Sequence, residues 1–159
     1  KHTRVLGVDT SLRSCGIAVV DAQGNSLTSV EYGTVKTSPK EPLSKCLQKL
    51  SRGIVDVIAR TSQNAAAIEG IFYSKNVKTT ISLGHARGVV IAACAEAGIP
   101  VYEYPPRRVK QAVVGYGAAG KEQVGQMVMS LLNLKDKPVE DAADALAIAI
   151  CHLHNVTQH

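Results

Sequence analysis

The stretch Pro138-Val-Glu-Asp-Ala-Ala-Asp-Ala-Leu-Ala-Ile-Ala-Ile150, running on to about His154, constrains this chain more than any other. Pro138 suits a first helical position, and acids suit a first turn, where backbone N–H groups are unpaired. Asp141, Asp144 and Ile148 follow i, i+3, i+7 spacing and so share one helical face. Alanines flank both aspartates, which lets another element approach closely. Two carboxylates on a tightly packed face are costly to ionise unless a cation lies between them. The helix therefore predicts a close-packed partner and a divalent metal. The plainer alternative is a pair of N-terminal acids stabilised by the helix dipole alone.

The rest of the chain alternates short apolar runs with helical patterns. Arg4-Val-Leu-Gly-Val-Asp9 reads as a buried strand with a carboxylate at its C-terminal end, where α/β sheets place ligands. Gly16 to Val20 and Leu27 to about Lys36 follow as strands around the turn Asp21-Ala-Gln-Gly-Asn25. Val30, Tyr32 and Thr34 fall on one face of the third strand. Leu43, Leu47, Leu50, Ile54 and Val57 recur at helical spacing up to about Arg60, with lysines and Arg52 on the other faces. Ala65 to Glu69 is a fourth strand that also ends in a carboxylate. A long helix is expected over Lys75 to Ala97 and a fifth strand over Ile99 to Tyr104. Short helices are expected from Arg107 and from Lys121. This order predicts an α/β fold with a mixed five-stranded sheet, an antiparallel meander plus parallel strands, flanked by helices. At 159 residues, residues 1–159 read as a single domain.

Charge and cysteine usage narrow the setting. Net charge is +5, from 18 basic and 13 acidic residues. Asp9, Glu69, Asp141 and Asp144 end or begin elements that a mixed sheet brings to one edge. Setting those four apart leaves nine acids against 18 basic residues, a basic surface around one acidic hole. Four such carboxylates cannot all stay ionised without cations, and two Mg²⁺ about 4 Å apart are the natural occupants. No histidine or cysteine spacing suits zinc, and His152 and His154 are expected at the surface. The four cysteines lack any CxxC spacing and read as buried free thiols in a reducing compartment. With no apolar run near 20 residues and no signal peptide, a cytoplasmic location is expected.

Several blocks carry a resemblance. Gly7-Val-Asp9, Ile68-Glu-Gly-Ile-Phe-Tyr-Ser-Lys-Asn76, Leu83-Gly-His-Ala-Arg-Gly88, Val109-Lys-Gln-Ala-Val-Val-Gly115 and Asp141-Ala-Ala-Asp-Ala-Leu-Ala147 occur in that order. Together they resemble the bacterial Holliday-junction resolvase family RuvC, of the ribonuclease H-like superfamily, over nearly the whole chain. That resemblance implies a structure-selective endonuclease, resolving four-way DNA junctions by paired nicks that leave a 5′-phosphate and a 3′-hydroxyl. It implies Asp9, Glu69, Asp141 and Asp144 as ligands of two Mg²⁺, with Mn²⁺ as substitute. Phe72 matches an aromatic that stacks or wedges at the crossover. Lys110 and Lys121 match basic residues near the scissile phosphate, and Tyr73, Lys75 and Arg87 join them as DNA-contacting candidates. A homodimer and a branch-migration motor as partner are also implied.

Three departures stand out. Thr10-Ser11 occupies the place of the family's usual Pro-Gly, Gly70 that of a frequent polar residue, and His85 that of a common Gln. The dimer has support in the residues themselves, since Val89 to Cys94 is more apolar than one sheet-facing stripe needs; Val90 is expected on the outward side. Three other readings stay open: a nuclease of the same superfamily acting on RNA/DNA hybrids or structured RNA, an actin-like phosphotransferase suggested by Gly7-Val-Asp-Thr-Ser11, and a junction-binding protein without activity.

Overall fold

A computed structural model describes residues 2–70 and 75–156. Phe72 and Tyr73 lie outside the described residues. Five strands, β1 (His2–Asp9), β2 (Ser14–Gln23), β3 (Ser26–Lys36), β4 (Ala65–Glu69) and β5 (Val101–Tyr104), form one sheet in the order β3-β2-β1-β4-β5. The first three make the expected antiparallel meander, while β4 and β5 add in parallel beside β1. Among the described residues five helices cover it: α1 (Leu43–Thr61), α2 (Val77–Glu96), α3 (Pro106–Val114), α4 (Lys121–Leu132) and α5 (Glu140–Val156).

Strand alternation decides what each layer receives, because successive side chains leave opposite faces. Leu6, Val8, Ile17, Val19, Ala66 and Ile68 pack into a core with α1 and α2. Val5, Ala18, Val20 and Ala67 pack into the opposite core, under α5, α3 and α4. Asp9 shares the parity of Val5 and Gly7, and Glu69 that of Ala65 and Ala67. Both carboxylates therefore leave the sheet on the α5 side. Val8 pairs with Ile68, so Asp9 and Glu69 stand level at the ends of neighbouring parallel strands.

Helix α5 lies almost directly on the strand backbones. A β-carbon at Gly16 would sit 1.9 Å from the Asp141 carbonyl oxygen, and one at Gly7 would sit 2.2 Å from that of Ala145. Only glycine fits at either position. Along this contact Ala142, Ala145 and Ala149 are fully buried. These are the close-packed small residues that the helix pattern called for.

Boundaries move for local reasons. Helix α5 begins at Glu140, since the first helical bond runs from the Ala143 N–H to the Val139 carbonyl, which leaves Pro138 outside. Asn76 caps α2 through its side chain, which accepts from the Lys78 and Thr79 N–H groups, so Lys75 precedes the helix. Two further expectations are corrected. Val90 is fully buried against the sheet, because α2 turns Ala86, Val90, Ala93 and Cys94 inward. His152 is buried too: its Nδ1 lies 2.6 Å from the Tyr104 hydroxyl, and its ring lies 4.6 Å from that of Tyr102. Burial lowers the pKa of His152 and keeps the ring neutral. All four cysteines are buried and free, as expected.

Gly16→Ala should lower unfolding free energy by about 1–3 kcal/mol or more, through forced displacement of α5. Gly125→Ala in α4, where added volume meets open space, should instead be neutral or stabilising by up to about 1 kcal/mol. Urea unfolding of the two variants tests whether helix–sheet contact distance, not glycine flexibility, sets the requirement.

Candidate active site

Three elements deliver the acids. Asp9 ends β1, and Asp141 and Asp144 occupy the first turns of α5, with at least one carboxylate oxygen from each within 4.8 Å of the others. Glu69, at the end of β4, stands beside this trio but outside it. It lines a cleft of about 450 Å³ with Asp144, Lys110 and Lys121. The structure thus gathers the four expected acids as three plus one.

The cost of that gathering shows in protonation. The Asp9 carboxyl is pushed up to about 8, first by burial and then by the charges of Asp144, Glu69 and Asp141. Glu69 is also raised, by burial and by Asp144, with Lys110 and Lys121 acting the other way. Asp144 is raised by burial, against the pull of Lys121. A cation placed among these acids would favour their ionised forms. The donor set is all carboxylate oxygen, which suits a hard ion such as Mg²⁺ or Mn²⁺ and not zinc. The residues present fit the metal chemistry expected of them.

Ser14 was not anticipated. Its hydroxyl donates to Asp141 Oδ2 at 2.6 Å. Ser14 lies two residues before Gly16, on the same face of β2, so strand alternation held the signal. Glu140 was also missed. Lys121, the first residue of α4, pairs with Glu140 and lies 3.5 Å from Asp144 Oδ2. Its pKa is raised, chiefly by that hydrogen bond to Glu140. Lys110 reaches the cleft from α3, which turns back over the sheet after Pro105. Lys121 and Lys110 thus border the acids with positive charge.

Other candidates fall elsewhere. Lys75 is exposed just before α2. Arg87 is only 4% exposed, and its guanidinium donates to the Glu69 main-chain carbonyl and to the Glu103 carboxylate. Arg87, expected as a DNA contact, is thus buried, with both terminal guanidinium nitrogens bonded inside the protein. Thr10 is turned inward, buried beside Asp9. No helix among the described residues is long and apolar enough to cross a membrane.

Comparison with known proteins adds three findings. The family described as Crossover junction endodeoxyribonuclease RuvC matches residues 5–152. Relatives named crossover junction endodeoxyribonuclease RuvC include that of Magnetococcus marinus, 45% identical with 98% of this chain and 87% of the relative aligned. That of Caldanaerobacter subterraneus subsp. tengcongensis is 46% identical, over 96% of this chain and 93% of the relative. Among solved structures, T. thermophilus RuvC in complex with Holliday junction substrate superposes with a TM-score of 0.94 at 35% identity, covering 98% of this chain and 96% of that one. The yeast mitochondrial Holliday junction resolvase Ydc2 shares the fold, with a TM-score of 0.72 at 12% identity over 98% of this chain and 80% of that one.

The raised pKa of Asp9 has a sign that can be measured. Its carboxyl moves from 3.8 to about 8 on folding, so the folded state retains a proton that the unfolded state releases. Stability from this group is complete below about pH 4 and is lost as pH rises through about 8. Metal-free protein should melt at lower temperature near pH 8.5 than near pH 5.5, and Asp9→Asn should flatten that dependence, by roughly 2–4 °C per kcal/mol recovered. Mg²⁺ should raise the melting temperature of the wild type at the higher pH and leave Asp9→Asn much less changed. Differential scanning calorimetry across pH, with EDTA or Mg²⁺, reads both effects.

Proposed function

The chain belongs to the RuvC family of crossover junction endodeoxyribonucleases, and we propose that Asp9, Glu69, Asp141 and Asp144 are the metal ligands with which it cuts four-way junctions. It is a Holliday-junction resolvase, a nuclease of recombination and repair. The observation that carries the site assignment is the convergence of Asp9, Asp141 and Asp144 oxygens within 4.8 Å, next to a cleft bordered by lysines.

Each residue has a separate task in this reading. Asp9 and Asp141 hold the cation from the sheet side and the helix side, with Ser14 fixing the rotamer of Asp141 through its hydrogen bond. Asp144 and Glu69 face the cleft and would complete the ligand set of a bound cation. Two Mg²⁺ ions, or Mn²⁺ in their place, would supply the Lewis acidity for water attack and for departure of the 3′ oxygen. Lys121 and Lys110 bind the phosphate that enters the cleft. Phe72 and Tyr73 stack on bases at the crossover, and Lys75 meets the backbone nearby.

The working unit in this reading is a two-fold homodimer, because paired cuts across a near-symmetric junction need two sites related by one axis. Helix α2 supports it from its outward side. Val77, Ile81, Gly84, Gly88 and Ala92 form one exposed stripe, and both glycines face open space. Residues 1–159 act as one domain, joined in the cell by a branch-migration motor. The buried free thiols fit a reducing, cytoplasmic setting.

Asp144→Asn should retain junction binding while nicking falls more than about 100-fold, since even partners one shell beyond a metal ligand cost 10–100-fold. Gel shifts and nicking of a synthetic four-way junction with Mg²⁺, against linear duplex and RNA/DNA hybrid, test the ligand set and the substrate together. Wild-type nicking by the variant would remove Asp144 from the metal site.

Ile81→Glu, on the exposed stripe, should give a folded monomer that nicks without pairing its cuts. Light scattering that finds the variant as large as the wild type would move the interface elsewhere.

A further inference from the structure

Arg87 is a buried cation that no step above uses. It extends from α2, flanked by buried Ala86 and exposed Gly88, to the ends of two parallel strands. Its guanidinium donates to the main-chain carbonyl of Glu69, the last residue of β4, and to the carboxylate of Glu103 in β5. The pairing of those strands carries through Glu69 and Tyr104, and one further bond runs from the Gly70 N–H to the Tyr104 carbonyl at 2.7 Å. The end of β4 is thereby held on two sides, by the β5 backbone and by Arg87.

The position matters because Glu69 has two roles at once. Its carboxyl feels Asp144, Lys110 and Lys121 on the α5 side of the sheet. Its carbonyl is bound from α2, whose buried residues pack on the opposite face. Burying a guanidinium to 4% exposure is costly unless its donors are satisfied, and Glu103, half exposed, neutralises it. A surface pair would have sufficed to hold α2 down. A buried one reaching a strand end beside the acid cluster fixes the backbone from which a ligand projects.

We propose that Arg87 is a positioning residue: by binding the Glu69 carbonyl it holds that carboxylate where a divalent ion can use it. The inference rests on Glu69 being a metal ligand. A small ion that demands near-ideal octahedral oxygens tolerates little drift in any of them. Arg87 thus acts on metal affinity through the main chain, with no contact to DNA.

The test measures Mn²⁺ binding calorimetrically without DNA, together with the Mg²⁺ dependence of nicking on a four-way junction. Arg87→Gln should weaken Mn²⁺ binding about 10-fold, the scale of partners beyond the ligands themselves. Nicking should recover at high Mg²⁺, and metal-free junction affinity should stay within about 2-fold. Arg87→Lys, which keeps a donor and the charge, should restore part of the affinity. Glu103→Gln should shift it in the same direction by less. Unchanged Mn²⁺ affinity in Arg87→Gln with a lowered melting temperature would overturn the proposal and leave Arg87 a core ion pair. Lost junction affinity without metal would overturn it in favour of a DNA contact. Should Arg87→Gln not fold, unchanged Mn²⁺ affinity in both Arg87→Lys and Glu103→Gln overturns it equally. Glu69→Gln keeps the carbonyl and separates the premise: if that variant binds Mn²⁺ normally, Glu69 is no ligand, and the failure belongs to the site assignment.

Discussion

The contact between α5 and the backbones of β1 and β2 is the constraint on which the rest depends. At Gly16 and Gly7 the helix carbonyls occupy the space a side chain would need. That proximity sets the height of the helix above the sheet, and the height sets how far Asp141 and Asp144 stand from Asp9. A helix resting on leucines or valines would sit farther from the sheet, and its carboxylates would stand farther from Asp9. The small residues are therefore part of the chemistry. They trade apolar burial for distance, and the remainder of α5, buried from Ala145 to Leu153, supplies the burial elsewhere.

Electrostatics then work against folding at the same place. Burial and the neighbouring carboxylates push the pKa values of Asp9, Glu69 and Asp144 upward. The protein accommodates the cluster through neighbours of unlike kinds. Ser14 fixes an oxygen, Lys121 brings charge to Asp144, and Arg87 holds a strand end from behind. Glu140 occupies Lys121 in turn. The pair keeps the Lys121 ammonium at the mouth of the cleft, beside Asp144.

Much of this was legible in the sequence because it follows period and parity. Apolar runs ending in Asp9 and Glu69 announce strands with carboxylates at the ligand end, and the meander follows from turn residues at Asp21 to Asn25. The small-residue face of α5 pointed to close packing and hence to a cation. What stayed hidden depends on tertiary direction. The apolar run Val89 to Cys94 does not reveal which side is outward, and Val90 proved to face the sheet. His152 looked like a surface residue because polarity, not its place beside Tyr102 and Tyr104, was all the sequence offered. Arg87 looked like a DNA contact because a buried cation is uncommon and its partner, Glu103, lies on an element whose neighbour cannot be read from local pattern. Leu43, the first residue of α1, is 44% exposed, while Cys46, Leu50, Ile54 and Val57 carry the buried face of that helix.

The acids come from opposite ends of the described chain: Asp9 closes the first strand and Asp144 sits in the last helix. Gathering them closes a loop through nearly the whole of that chain, as the bond between Ser14 and Asp141, 127 positions apart, makes plain. No local segment holds the trio, so its geometry belongs to the docked helix and sheet together. Detachment of α5 from its glycines would disperse the acids while leaving each strand intact.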